Sequence, residues 1–241
     1  MSNKVLLEKS DGVASIVLNR PDKGNAVDPE LMTQLLESLS DVVSDATVEL
    51  LVLEGQGDHF CSGREAGLAE PRNAEQWANV LGNIVRVNGL LQSFPGISLA
   101  VVRGKAFGFG CGIAVQSDVT LASEDARFAF PEINSGFPPT IVMSYLSRWI
   151  HRKKAFELVI TGGELNAREA ERQGLVNRVV AQDQLNREKD SWLAKLAGLD
   201  GQGVRATKEF FRDTAEWATQ DALRFGVTRL ANFLSSREQG K

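Results

Sequence analysis

Cysteine and histidine are scarce in this chain, with two residues of each among 241. Two cysteines in a chain of this length do not make a disulfide framework, although Cys61 and Cys111 could in principle pair. A reducing, cytoplasmic environment is therefore predicted. His59 and His151 stand far apart in the sequence, so we expect solvated or helix-capping roles for them and no metal site.

Clusters of positive charge and long apolar runs are also missing. The net charge is −4, and lysine and arginine alternate with acidic residues, so a nucleic-acid partner is not expected. The first apolar run, Val5 to Leu7, is too short for the core of a signal peptide. No later run approaches the roughly 18 apolar residues of a membrane span. These absences predict a soluble, cytoplasmic protein without a membrane partner.

Short apolar runs alternate with amphipathic stretches along most of the chain. Strands are predicted at VASIVLNR, LLVLEG, ISLAVVRG, VTLAS and LVNRVV. A helix is predicted after Asp28, which can act as N-cap, with Pro29 at its first position. Its apolar face consists of Leu31, Leu35, Leu39 and Val42. A second helix is predicted from Asn166, with Glu169 completing a capping box and Gly174 ending it.

The C-terminal part of the chain has a different pattern. From about Asp190 the strand signals stop. The apolar residues that mark helices there are Leu193, Phe210, Phe211, Leu223 and Phe233. We therefore predict an α/β core over residues 1–190 and a small helical region over residues 191–241.

A glycine-rich stretch, GKAFGFGCGIAV, begins at Gly104 directly after a predicted strand. It does not match a dinucleotide fingerprint, because the third glycine would fall at Ile113, and no phosphate-binding P-loop motif is present. The pattern instead predicts a glycine turn through Gly108 and Gly110 and a helix that begins near Phe109. The free N–H groups of such a helix can stabilise negative charge. A tight turn needed only for packing is the alternative.

A second glycine, in HFCSGREAG, also follows a strand-and-turn region. Gly63 there precedes a backbone N–H at Arg64 that no regular element need satisfy. If this N–H and that of Phe109 point at one position, they form an oxyanion hole. Ser62 lacks the G-x-S-x-G context of a nucleophile, and both cysteines are expected to pack as small apolar residues.

Four motifs carry a family resemblance: LNRPDKGNAVD, HFCSGRE, VRGKAFGFGCGIAVQSDVTLAS and ARFAFPEINSG. In this order and spacing they resemble the crotonase superfamily, also called the enoyl-CoA hydratase/isomerase family. The resemblance runs from about Leu18 to Val180 and includes ELVITGGELNAREAERQGLVNRVV. It implies an α/β fold, a crotonase-like spiral of strand–strand–helix (ββα) repeats with a small C-terminal helical region. In the family that region drives assembly of homotrimers, which often pair into hexamers.

The resemblance also implies an acyl-CoA thioester substrate and no separate cofactor. By motif position, the thioester oxygen would lie between the backbone N–H groups of Arg64 and Phe109. The residues implied to bind the substrate and its CoA part are Lys23, Ser62, Gly63, Arg64, Gly108 and Gly110. The Arg64 side chain could contact a CoA phosphate, pair with Glu65 or narrow the acyl pocket. The pocket walls would come from EAGLAEPRNAEQWANVLGNIV.

Two acids perform hydration in the family, and this chain matches one of them. The acid of the PE motif is present as Glu132, in apolar surroundings that should raise its pKa, whereas the position of the other acid is Gly112. The nearby acids Asp118 and Glu124 are expected to be structural or exposed. A single glutamate resembles the family's isomerases, which convert 3-enoyl-CoA to 2-enoyl-CoA. Hydration, another enolate reaction such as decarboxylation, and a non-catalytic acyl-CoA-binding scaffold are the alternatives.

Overall fold

The computed structural model describes residues 3–65 and 73–239. The chain divides into two compact units, Met1–Ala197 and Gly198–Lys241. The strands are β1 (Val5–Ser10), β2 (Val13–Leu18), β3 (Leu50–Gly55), β4 (Ile97–Val102), β5 (Lys105–Phe107), β6 (Val119–Ser123), β7 (Arg127–Ala129), β8 (Glu164–Asn166) and β9 (Arg178–Val180). The helices are α1 (Pro29–Ser44), α2 (Ala74–Ser93), α3 (Phe109–Gln116), α4 (Thr140–Met143), α5 (Arg152–Thr161), α6 (Ala167–Gln173), α7 (Leu185–Ala197), α8 (Gly201–Asp213) and α9 (Thr219–Gln239).

The larger sheet has the strand order β1-β2-β3-β4-β6-β9. From β2 onward every neighbouring pair is parallel, as strands joined by helical crossovers should be. All five strands predicted from apolar runs are in this sheet, so those predictions are confirmed. Their near-continuous apolar sequences fit strands of a parallel sheet that is covered on both faces.

Strands β1 and β2 form a hairpin, of which only β2 was predicted. The two strands pair antiparallel, with Val5 opposite Leu18 and Ser10 opposite Val13. The turn between them is Asp11–Gly12, with φ angles of 51° and 77°. Positive φ at both central residues is the type I′ geometry that matches the twist of a hairpin. The Asp-Gly pair was therefore a usable sequence signal for β1.

A smaller sheet has the strand order β5-β7-β8. After β4 in the larger sheet the chain forms β5 in the smaller sheet and then α3; after β6 it forms β7. Two isolated pairings, Cys61 with Ala106 and Val27 with Arg64, link further segments in the same parallel manner. This strand–strand–helix order brings the segment around Cys61 against β5, and it thereby positions both predicted glycine turns.

Helices α1 and α6 begin as the sequence predicts. The Asp28 carboxylate accepts a hydrogen bond of 2.8 Å from the backbone N–H of Leu31, and Lys4 lies 2.6 Å from the same carboxylate. The four predicted face residues of α1 are buried. Asn166 and Glu169 form the capping box of α6. Both starts are local signals that the tertiary structure does not override.

The second unit contains α8 and α9. Phe225 packs within it against Phe210 and Trp217, with ring centroids 6.0 Å and 5.2 Å apart. Its large exposed apolar side chains are Leu199, Phe211, Trp217, Leu223, Val227, Leu230 and Leu234. A helical C-terminal region is confirmed; its role in oligomerisation remains a prediction. The predicted boundary at residue 190 falls inside α7.

Across the described residues, no helix has both the length and the apolar character needed to cross a membrane.

Asn25 fixes the loop that leads into the segment around Cys61. It is fully buried at a positive φ of 56°. Its amide donates hydrogen bonds to the carbonyls of Gln56 (3.0 Å) and His59 (2.6 Å), and its carbonyl accepts one of 2.8 Å from the Arg20 N–H. We expect Asn25→Ala to lower the free energy of unfolding by about 3 kcal/mol, because it leaves buried backbone groups without their partners.

Urea denaturation measures this loss, and Asn19→Ala is the control. The Asn19 side chain donates one exposed hydrogen bond of 2.8 Å to the Asn3 carbonyl. Its replacement is expected to cost about 0.5 kcal/mol or less. Equal losses in the two variants would contradict the role assigned to Asn25.

Candidate active site

The Gly63 turn lies directly against β5. Cys61 donates a backbone hydrogen bond of 2.9 Å to the Lys105 carbonyl and accepts one of 2.9 Å from the Phe107 N–H. Gly63 has a φ of 102°, and a Cβ atom there would lie 3.1 Å from the Phe107 carbonyl oxygen. This position therefore requires glycine for both conformation and space. Arg64 follows the turn and pairs with Val27.

The second glycine turn opens α3. Gly108 is the N-cap of this helix, with φ 51° and ψ −115°. Glycine adopts this backbone conformation without steric strain, whereas residues with a Cβ atom do not. Its N–H donates a 2.8 Å hydrogen bond to the Ala129 carbonyl in β7. The helix begins at Phe109, as predicted, and all its residues are buried. Because the first N–H groups of a helix have no carbonyl acceptor within it, this end presents donors and the positive end of the helix dipole.

The two turns and Glu132 meet at one place. A Cβ atom at Gly108 would lie 3.0 Å from Glu132 Oε1 and 3.9 Å from the Gly63 Cα. Residues from three separate segments of the chain therefore surround a single point. Without side chains at positions 63 and 108, a small group can approach the backbone beside a carboxyl.

Glu132 is held in a short 3-10 helix, Pro131–Ser135, which follows β7. Its side chain is partly buried, and Oε2 is buried without a hydrogen-bond partner among the described residues. Burial raises the pKa of this carboxyl above its ordinary value. A carboxyl with a raised pKa and an unoccupied oxygen is suited to accept and return a proton.

Gly110 and the two cysteines have packing roles beside this point. A Cβ atom at Gly110 would lie 2.5 Å from the Cys61 carbonyl oxygen, so glycine allows α3 to pack against that segment. Cys61 and Cys111 are both free and buried. Burial raises the pKa of the Cys61 thiol to about 12, and burial with the nearby Glu132 charge raises that of Cys111 as well. Both sulfurs therefore stay protonated and unreactive.

Lys23 and Ser62 are neighbours at the rim of the Gly63 turn. The Ser62 hydroxyl donates a 3.3 Å hydrogen bond to the Lys23 carbonyl, and Lys23 itself is exposed. Their contribution to CoA binding remains a prediction. Of the segment predicted to form pocket walls, residues 66–72 lie outside the described residues, and Ala74–Ser93 forms α2.

The nearby acids are engaged elsewhere. Asp118 accepts hydrogen bonds of 2.7 Å from both the backbone N–H and the hydroxyl of Ser98, and it therefore joins neighbouring strand ends. Glu124 is exposed and lies 2.8 Å from the Arg168 guanidinium. The expectation that both are structural or exposed agrees with these contacts.

Both histidines accept hydrogen bonds from backbone N–H groups. His59 Nδ1 accepts from Lys105 at 3.3 Å, and His151 Nδ1 accepts from Lys153 at 3.4 Å at the start of α5. Within the described part of the chain, no group of three or more acidic, cysteine or histidine side chains is placed to hold a metal ion.

Tyr145 also lies beside α3, and the sequence did not predict it there. A Cβ atom at Gly112 would lie 2.8 Å from its hydroxyl oxygen. The ring is buried, and burial together with the nearby Glu132 charge raises the pKa of the phenol. Its sequence surroundings, IVMSYLSRW, carry no motif that points to α3. Only the folded chain brings the two segments together.

The chain is similar to known proteins over nearly its whole length. The sequence profile of the family described as Enoyl-CoA hydratase/isomerase matches residues 8–241. A protein of Rhizobium meliloti (strain 1021), named "Probable enoyl-CoA hydratase", is 33% identical over 245 residues, which cover 99% of this chain and 93% of that protein. The match includes both glycine turns and the segment around Glu132.

Solved structures resemble the chain over nearly its whole length. The crystal structure of an enoyl-CoA hydratase of Mycobacterium smegmatis has 31% identity and a TM-score of 0.91, and the overlap covers 96% of this chain and 91% of that one. The human enoyl Coenzyme A hydratase domain-containing protein 3 has 25% identity, also with a TM-score of 0.91, over 96% of this chain and 92% of that one. This overlap confirms the fold class that the sequence motifs predict.

Proposed function

This chain belongs to the enoyl-CoA hydratase/isomerase (crotonase) family, and we propose that within it the chain is an enoyl-CoA isomerase that converts 3-enoyl-CoA to 2-enoyl-CoA. The observation that carries the proposal is the Glu132 carboxyl beside the two glycine turns. Glu132 Oε1 lies 3.0 Å from the Cβ position of Gly108, and Gly112, one helical turn further along α3, carries no acid.

The proposed reaction moves one proton between two carbons of the same substrate. The Glu132 carboxylate removes a proton from C2, and the electron pair of that C–H bond moves into the thioester as an enolate. The protonated Glu132 carboxyl, which can exchange its proton with solvent at this stage, then delivers a proton to C4 of the C3–C4 double bond, while the enolate collapses to form the C2–C3 double bond. One carboxyl suffices for this sequence because it is restored at the end.

The enolate oxygen needs hydrogen-bond donors. We assign them to the backbone N–H groups of Arg64 and Phe109, which follow the turns at Gly63 and Gly108. A preorganised donor at such an oxygen typically stabilises the transition state by about 2.7–4 kcal/mol. The start of α3 adds the positive end of its dipole at the same place. Gly110 supports the arrangement by allowing α3 to pack closely.

Binding of the CoA part and the assembly of the protein belong to the same proposal. The exposed Lys23 and its neighbour Ser62 are suited to contact CoA phosphates. The exposed apolar side chains of α8 and α9 support a homotrimer or a hexamer built through the C-terminal unit. Two free, buried cysteines fit a cytoplasmic location.

Hydration of 2-enoyl-CoA is the second candidate. It is favoured by the names of the relatives, since both the Rhizobium meliloti and Mycobacterium smegmatis proteins are named enoyl-CoA hydratases. Hydration requires a group that holds and activates water in addition to Glu132. The described acids between Gly112 and Glu132 are Asp118, Glu124 and Asp125, and they are bonded to Ser98, to Arg168 and to the Gly104 N–H, respectively. A non-catalytic scaffold has less support, because the carboxyl and both turns are retained.

Parallel assays of the wild-type protein separate these candidates. In deuterated water, 3-enoyl-CoA should be converted to 2-enoyl-CoA with solvent deuterium entering the substrate. The rate of water addition to 2-enoyl-CoA should be lower than the rate of isomerisation by a factor of about 100 or more. The reason is that a missing acid–base group typically reduces a rate by about 10²–10⁴-fold. Mass spectrometry of both reactions measures this ratio. Hydration as fast as isomerisation would reject the isomerase assignment.

A further inference from the structure

The first turn of α3 has a face that carries no side chains of its own. Gly108 and Gly112 are four positions apart, and the Gly112 N–H donates a 2.9 Å hydrogen bond to the Gly108 carbonyl. Residues with this spacing lie on the same side of a helix, one turn apart. Neither has a side chain, so other segments of the chain supply what occupies this face.

Two polar groups occupy it. Glu132 Oε1 lies 3.0 Å from the Cβ position of residue 108, and the Tyr145 hydroxyl lies 2.8 Å from that of residue 112. Since Cβ positions one turn apart are separated by roughly 6 Å, one small acyl group can reach both. Glu132 Oε2 is buried there without a partner among the described residues, so the carboxyl is not committed to another side chain.

We propose that Tyr145 is a specificity-determining residue of this site: its hydroxyl takes the space beside Gly112 and supplies a neutral hydrogen-bond donor that contacts the acyl group. Among the described residues, this leaves Glu132 as the proton acceptor on this face. The phenol stays protonated at neutral pH, because burial and the neighbouring Glu132 charge disfavour its ionised form. A protonated phenol can hold an oxygen atom, but it cannot take a proton from water. The inference rests on the isomerase proposal.

The packing part can be tested without any activity. Gly112→Ala should lower the melting temperature, because its Cβ meets the Tyr145 hydroxyl at 2.8 Å. The double variant Gly112→Ala/Tyr145→Phe should recover part of that loss, because the oxygen is gone. Gly89→Ala is the matched control, since Gly89 lies in α2 and a Cβ there meets nothing within 4 Å. It should be neutral or stabilising in both backgrounds. If Gly112→Ala lowers the melting temperature equally in the wild-type and Tyr145→Phe backgrounds, the proposal is overturned.

The specificity part is tested by installing an acid. The double variant Gly112→Glu/Tyr145→Phe should hydrate 2-enoyl-CoA faster than the wild type by a factor of about ten or more. The reason is that it adds a second acid–base group where the hydroxyl stood. Gly112→Glu alone should be less stable than the double variant. A folded double variant without any gain in hydration would overturn the role of Tyr145 in specificity.

Contact with the acyl group can be observed in the unaltered fold. Tyr145 is the sole tyrosine of the chain, so protein labelled with 3-fluorotyrosine gives one fluorine resonance. A non-reactive acyl-CoA analogue should shift this resonance, whereas CoA without an acyl group should not. An unshifted resonance at saturation would overturn the proposal even if the variants do not fold. Failure of the isomerase assignment would instead appear in the wild-type assay and leave the fluorine shift and the stability comparison intact.

Discussion

Glutamine at position 132 should abolish both isomerisation and deuterium exchange. The amide keeps the shape of the Glu132 side chain beside Gly108, but it cannot accept a proton from C2 of the substrate. Loss of a general acid–base group typically reduces the rate by about 10²–10⁴-fold. Because the proposed reaction uses the same carboxyl to remove and to return the proton, both measured rates should fall together.

Two controls distinguish this loss from misfolding or lost binding. Glu132→Gln should still bind acyl-CoA by calorimetry, because the glycine turns at Gly63 and Gly108 are unaltered. Glu124→Gln should retain wild-type rates, since Glu124 is an exposed carboxyl paired with Arg168. Undiminished isomerisation by Glu132→Gln would mean that the proton acceptor lies elsewhere in the chain.

The pH dependence follows from the same carboxyl. Burial raises the pKa of Glu132 above its ordinary value of 4.5, and the Glu132 charge in turn raises the pKa of Cys111 and of Tyr145, so both of these neighbours stay neutral while Glu132 titrates. Since the base must be ionised, kcat/KM should rise with pH through the raised pKa, above the range of an exposed glutamate. The folded state binds this proton more tightly than the unfolded state. The stability of the wild type relative to Glu132→Gln should therefore fall as pH increases from 4.5 through that raised value.

Local signals explain which parts of the fold the sequence predicts. Helix α1 has a capping aspartate, a proline and four apolar residues at helical spacing, and these features act within one stretch of chain. The strands of the larger sheet are six-residue or shorter apolar runs bounded by charge or glycine. Such patterns persist in the folded chain because burial in a parallel sheet reinforces them.

The smaller sheet shows where local signals fail. Strands β5, β7 and β8 each have three residues, which is too short for a period-two pattern to emerge. They pair with one another across long stretches of chain, with Lys105 opposite Arg127 and Arg127 opposite Asn166. Since the contacts that stabilise these strands lie far apart in sequence, the sequence alone could not assign them.

The site divides in the same way. Glycine turns before Arg64 and Phe109 are readable from their position after strands, and Glu132 is identified by the motif that contains it. Tyr145 is not, because its contact with the face of α3 at Gly112 joins two segments that are distant in sequence. Predicting it would require knowing how the chain after Glu132 folds back over that helix.

Alanine at position 108 should reduce kcat by about 10²–10³-fold, the effect typical of losing one oxyanion donor. At φ 51° and ψ −115° an L-residue is strained, so the backbone must rotate and move the Phe109 N–H. Gly12→Ala is the matched control for strain, because Gly12 also has a positive φ of 77° but lies in the β1–β2 turn. It should lower the melting temperature without changing kcat.

The added Cβ at position 108 would also press on Glu132 Oε1, 3.0 Å away, so a rate loss alone does not separate the donor from the base. Infrared spectroscopy of a bound acyl-CoA labelled with carbon-13 at the thioester carbonyl, in the inert Glu132→Gln background, isolates the donors. Hydrogen bonds from the Arg64 and Phe109 N–H groups weaken the C=O bond and should lower its stretching frequency relative to free substrate. Adding Gly108→Ala should reverse most of that shift. A carbonyl frequency unchanged by binding to Glu132→Gln would remove both donor assignments, whatever the rates show.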